Sequence, residues 1–218
     1  MLKKLFIGML LVACQPGLHA AEANQMPCLD AIKRLVDGNT RFSKDLSIHP
    51  DSGGTRRKET AVKQKPFAVI LGCSDSRVAP EIVFDQGIGD LFIIRTAGNV
   101  VGLIELDSIE YAAENLETCL IVVLGHENCG AVTAVAQGQT KDIEAIAELI
   151  APAVKEARAG QGTFTIEKAI KTNIRMVVTQ LQNSKVISKL ISEGKVAVIG
   201  GYYHFETGEV EFLHLQKG

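Results

Sequence analysis

The sequence has no excess of charge of either sign. Lys and Arg number 23 against 25 Asp and Glu, for a formal net charge of −2 and a pI near 6.2. Phosphate backbones are gripped by basic surfaces, so this balance speaks against nucleic acid as a partner. There is no low-complexity tract and no repeat with a period of about 20–50 residues, which excludes solenoid architectures. Beyond the N-terminus no apolar stretch is long enough to cross a bilayer as a helix. No C-x-x-C pair is present, so the usual mark of a thiol redox enzyme is missing. The composition, 46% hydrophobic and 22% charged, is that of a globular chain. Its 218 residues suffice for one domain plus a leader. A core of that size folds without staples, so a metal would serve chemistry rather than hold the fold.

The N-terminus reads as an export signal. Lys3 and Lys4 precede the short apolar run Leu5 to Ala13, and Ala21-Glu22-Ala23 has the A-x-A form of a cleavage site. Residues 1–23 are expected to be a signal peptide and 24–218 a single periplasmic domain. A second reading competes. Leu11-Val12-Ala13-Cys14 resembles a bacterial lipobox, in which Cys14 would carry a lipid anchor facing the periplasm. Of the other four cysteines, Cys28 and Cys119 have no evident task. They could pair in an oxidising compartment, but two unrelated buried thiols is the preferred reading.

Leu29, Ile32, Leu35 and Val36 recur at helical spacing, which predicts a helix over 28–44, interrupted near Gly38. Residues 45–64 are polar and read as a loop. Phe67 to Leu71, Leu91 to Ile94, Leu120 to Leu124 and Lys195 to Ile199 are short continuous apolar runs, the pattern of strands buried on both faces. Val210 to Leu215 adds an edge strand. Helices are predicted over Ile104 to Leu116, Ala131 to Gln137, Ile143 to Ala157 and Ile166 to Leu190, the last with a break near Asn183-Ser184. The alternation predicts an α/β fold: a mainly parallel sheet of four strands with an antiparallel edge strand, flanked by helices, with an N-terminal helical arm. Ligands of such sheets sit beyond the carboxyl ends of the strands.

Two of those ends carry chemistry. Gly72-Cys73-Ser74-Asp75-Ser76-Arg77 follows the first strand and Gly125-His126-Glu127-Asn128-Cys129-Gly130 follows the third. H-x-x-C alone is a weak signal, a lone cysteine after a strand is usually a small hydrophobe, and a lone histidine in a turn is usually a hydrogen-bonding residue. Together, on adjacent strands, Cys73, His126 and Cys129 would give two sulfurs and one imidazole with a fourth position open, the pattern of a catalytic zinc site.

C-x-D-x-R followed by H-x-x-C-G resembles the signature of the β-carbonic anhydrases. CSDSRVAPE, LFIIRTAGN, IEYA and VVLGHENCGAV resemble that family in the same order, and the likeness covers about residues 28 to 215. The resemblance implies one Zn2+ per chain and reversible hydration of carbon dioxide to bicarbonate and a proton by zinc-bound hydroxide. It implies that Asp75 orients the nucleophile, that Arg77 holds Asp75 ionised, and that Gln64 and the Gly130 N–H donate to a substrate oxygen. Phe92 and Ala97 would line the apolar pocket. Arg95 and Tyr203 resemble two members of a bicarbonate pocket whose third is a tryptophan. Ile70 stands at that place and the chain has no tryptophan, so Asp75 is expected on Arg77 rather than on the metal. His49, His204 and His214 are candidate proton shuttles. The family's sites lie at a dimer interface, where the second subunit supplies the glutamine and the phenylalanine, so a homodimer or dimer of dimers is expected. Two other readings keep the fold: a zinc hydrolase acting on carbon disulfide or a related molecule, and a catalytically silent zinc-binding assembly protein.

Overall fold

The computed structural model describes residues 16–213, with side chains from Cys28 onward. Four strands run parallel: β1 (Ala68–Cys73), β2 (Leu91–Thr96), β3 (Leu120–His126) and β4 (Ala197–Tyr203). β5 (Val210–Leu213) is antiparallel to β4, and the order across the sheet is β2-β1-β3-β4-β5. Every residue of β1 and β3 is buried. That is why these strands read as unbroken apolar runs: both faces are covered. Each buried Ile, Leu or Val contributes roughly 1.5–3 kcal/mol.

One face is covered by α1 (Pro16–Ser43), while α2 (Gly54–Thr60) buries no residue; α3 (Pro80–Val83) joins α1. Ala31 and Leu35 of α1 pack with Val83, Phe84, Ile70 and Leu124. The opposite face carries α4 (Leu103–Asn115), α5 (Gly130–Ala136), α6 (Glu144–Ala159), α7 (Ile166–Gln182) and α8 (Lys185–Ser192) over Val69, Leu71, Ile121 and Val123. The break expected at Asn183-Ser184 is present, because Ser184 Oγ accepts the Ile187 N–H and starts α8.

The chain leaves β1 towards α3 on one face and leaves β3 towards α5 on the other. A crevice therefore opens between the carboxyl ends of these adjacent strands, at the switch point of the sheet.

Three expectations need correction. α1 runs through Gly38 without interruption. Gly38 is there for close approach: a Cβ would lie 1.8 Å from the Phe84 carbonyl oxygen. Residues 45–64 are not wholly loop, since α2 forms within them; polar all round, it offers no periodicity to read. β4 starts at Ala197 and extends through Gly200-Gly201 to Tyr203, further than the apolar run suggested. Cys14, the lipobox, most of the expected leader and His214 lie outside the described residues. Among the described residues no helix is long and apolar enough to cross a membrane.

Candidate metal centre

Cys73 is the last residue of β1 and His126 the last of β3, while Cys129 caps the start of α5. Asn128 turns the chain between the two latter residues at φ 51, a left-handed conformation that Asn tolerates. Strand adjacency and this turn bring Cys73 Sγ, Cys129 Sγ and a His126 ring nitrogen within 4.8 Å of one another, all buried.

The imidazole tautomer follows from its partners. His126 Nδ1 lies 2.8 Å from the Glu127 carbonyl oxygen, which can only accept, so Nδ1 carries the proton. Nε2 is then a bare lone pair. It is fully buried and has no hydrogen-bond partner. A buried, unpaired acceptor facing two thiols is costly unless a cation completes it. The donor set, one imidazole and two sulfurs, suits zinc.

The sulfurs are not equivalent. The Cys129 thiol beside Cys73 lowers the Cys73 pKa to about 4, against the opposing effect of burial; the Gly98 N–H, 3.3 Å from Sγ, assists. The same pairing and burial push Cys129 up. A dication would displace the shared proton and leave both as thiolates.

Asp75 lies on the rim. Arg77 Nε and Nη2 donate to its two oxygens at 2.9 and 2.7 Å, and the Arg77 backbone N–H adds a third contact at 3.0 Å. The guanidinium first, then that N–H, hold the carboxyl well below the usual range despite partial burial. Oδ2 stands 3.9 Å from His126 Nε2. Arg95 Nε and Nη2 donate to the carbonyls of Cys73 and Asp75 at 2.9 and 2.6 Å, clamping the turn that bears both.

Gly130 opens α5 directly after a ligand, with free space where a Cβ would be. Ala97 follows Thr96, the residue paired with Cys73 in the β1–β2 ladder. Gln64 and Phe92 are not brought to this cluster. Phe92 pairs with Val69, four residues before Cys73, and so lies about 13 Å along the strands from it, while Gln64 is in the connection that precedes β1. Tyr203 is buried beside His126 in the β3–β4 ladder. His204 Nε2 lies 3.7 Å from Glu211, and His49 is 3.9 Å from Asp85.

Four residues of the site's support escaped sequence reasoning. Phe205 lies under the Arg77 guanidinium, 4.1 Å from ring centre to Cζ, and packs on the His126 ring at 5.3 Å. Glu127 fixes it by accepting the Phe205 backbone N–H at 3.0 Å. Asn173 donates to the Gly98 carbonyl at 2.9 Å, and Gly98 in turn donates to Cys73. Glu127 and Gly98 sit inside the recognisable motifs, so proximity was a signal. Phe205 and Asn173 come from a connection and a distant helix, with no local mark.

Fold and site together define an α/β protein with a cluster of two cysteines and one histidine, able to hold a metal ion, at the switch point of its sheet. The sequence model of the carbonic anhydrase family matches residues 68–210. The chain is 41% identical to a carbonic anhydrase of Mycolicibacterium smegmatis, over 83% of this chain and 91% of that protein. It is 40% identical to carbonic anhydrase 2 of Mycobacterium tuberculosis, over 82% and 89%. Among solved structures, the β-carbonic anhydrase CcaA aligns with a TM-score of 0.67 at 26% identity, covering 83% of this chain and 94% of that one. The Coccomyxa β-carbonic anhydrase in complex with acetazolamide aligns at 0.65 and 26%, covering 82% and 84%. The chain belongs to the carbonic anhydrase family, in its β class, a family of lyases.

Proposed function

We propose that the protein interconverts carbon dioxide and bicarbonate using one zinc ion held by Cys73, His126 and Cys129. The observation that carries this reading is the bare, fully buried His126 Nε2 facing two sulfurs, with the ionised Asp75–Arg77 pair on the rim. Three protein ligands leave a fourth position of a tetrahedral metal open. Zinc, when bound, would supply the Lewis acidity that makes water a nucleophile near neutral pH.

The chain's own groups do the rest. Asp75, ionised and unable to donate, accepts a hydrogen bond from the attacking water and so points its lone pair at the substrate carbon. Arg77 fixes that carboxylate through two parallel N–H donors. The Gly130 N–H donates to a substrate oxygen, and Ala97 supplies a small apolar wall. Gln64 and Phe92 act on the site of a partner subunit, which makes a homodimer the smallest complete unit. Two β-carbonic anhydrases of the filamentous ascomycete Sordaria macrospora, similar to this chain in fold, are tetrameric. Export past the inner membrane belongs to the same proposal and rests on the charged and apolar pattern of residues 1–23. The mass of the native mature protein separates cleavage after Ala23 from lipidation at Cys14, and an intact Met1 overturns export.

Stopped-flow hydration of carbon dioxide, with zinc analysis on wild type and Asp75→Asn, tests the reaction. The expected result is one zinc per chain in both and a loss of roughly a hundredfold or more in the variant. A zinc-loaded wild type without hydration activity from neutral to mildly alkaline pH overturns it.

A further inference from the structure

Cys28 and Cys119 lie far apart in sequence yet meet in the fold. Cys28 is on α1, and Cys119 immediately precedes β3, at the amino end of the sheet and opposite the metal centre. Cys28 Sγ lies 3.2 Å from the Cys119 carbonyl oxygen and 3.9 Å from that of Lys195. The Cys28 thiol thus donates to the backbone of the residue that carries the second thiol, and both cysteines are free. This corrects the expectation of two unrelated buried thiols. The site is rigid, because the Cys119 carbonyl also accepts the Ala197 N–H at 2.8 Å. It is also reachable. Cys28 borders an open hollow of about 410 Å³ with Leu29, Gln182 and Val196. Cys119 borders another, of about 400 Å³, with Glu117, Lys189 and Lys195.

We infer that Cys28 and Cys119 form a thiol-exchange site that closes to a disulfide with a small disulfide oxidant, pinning α1 to the start of β3. Exchange starting at Cys28 proceeds by two successive displacements, and starting at Cys119 it is the mirror image. The Cys28 thiolate attacks one sulfur of oxidised glutathione. The glutathione S–S bond breaks, one glutathione thiolate leaves and a mixed disulfide forms. Cys119 then gives up its proton and displaces the second glutathione. Two electrons and two protons pass from the protein to the oxidant, yielding two glutathione thiols and one Cys28–Cys119 bond. The ring so closed contains β1, β2 and Cys73 but breaks no metal ligand, so oxidation should stiffen the arm without removing metal.

The test oxidises the zinc-loaded full chain with oxidised glutathione, then combines peptide mass mapping, thermal unfolding and zinc analysis. The expected product is a single Cys28–Cys119 cross-link with zinc retained. A long closed loop should raise Tm by roughly 5–15 °C, reversibly on reduction. Cys28→Ser and Cys119→Ser should each abolish both cross-link and shift while keeping zinc content. Glutathione adducts alone, a Cys73–Cys129 bond instead, or a cross-link that lowers Tm overturns the inference, and none of these outcomes depends on hydration activity.

Discussion

Replacing Gly98 with alanine separates two kinds of strain beside the metal centre. Gly98 has φ 75, and a Cβ there would sit 2.7 Å from Ile150 Cδ1 and 3.3 Å from Ala131 Cβ. A left-handed backbone costs an L-residue roughly 1–2 kcal/mol, and overpacking costs roughly 1–3 kcal/mol. Gly98→Ala should therefore lose about 2–5 kcal/mol, or roughly 4–20 °C in Tm for a chain of this size. Adding Ile150→Val removes the nearest clashing atom but leaves the backbone strain. The double variant should be more stable than the sum of the singles by about 1 kcal/mol or more. Urea unfolding of the zinc-free protein, at one fixed protein concentration, measures both. Because the Gly98 N–H donates to Cys73 Sγ, zinc should also bind roughly tenfold more weakly to the single variant. A Gly98→Ala protein within about 0.5 kcal/mol of wild type, or strictly additive variants, would refute the reasoning.

Asp85 is fully buried and accepts from Arg41 Nε at 2.6 Å and from the Ile48 and His49 N–H groups at 3.2 and 2.9 Å. Burial pushes its carboxyl up, but these donors outweigh it and hold the pKa below normal. Its contribution is thus present above the unfolded value near 3.9 and lost as pH falls through the lower folded value. Asp85→Asn should flatten the acid limb of zinc-free stability below about pH 4, read from urea midpoints. Asn39 donates to the Val83 and Gly208 carbonyls at 3.1 and 2.8 Å and accepts the Val210 N–H at 2.8 Å. Asn39→Ala should cost about 2–4 kcal/mol by the same measurement, and an unchanged midpoint would show those groups satisfied elsewhere. Phe205→Leu removes the face beneath Arg77. It should lower kcat roughly two- to fivefold with zinc content unchanged, and a change confined to KM would remove Phe205 from a positioning role.

The sheet and the ligands were legible because both depend on local sequence. Strands buried on both faces leave unbroken apolar runs such as 120–124, and the turns that follow β1 and β3 carry their chemistry within a few residues. What was not legible depends on approach between distant segments. Gly38 reads as a helix break until the Phe84 carbonyl is seen against it. α2 leaves no pattern because it buries nothing. Phe205 and Asn173 reach the site only through β4 and α7, and the meeting of Cys28 with Cys119 follows from how α1 lies across the sheet. Phe92 shows the converse: it sits inside the recognisable run 91–99, yet its register with Val69 keeps it near the amino end of β2.

The crevice between β1 and β3 also bears on how the molecule breathes. Cys73 and His126 bracket the whole excursion through α3, β2 and α4, so a cation gripping both acts as a buckle across the base of that segment. Among the described residues β2 is an edge strand, paired with β1 alone, and is a natural place for local opening. Metal occupancy should therefore slow amide hydrogen exchange in β2, which supplies none of the ligands, more than in β4, which is already held between two neighbours.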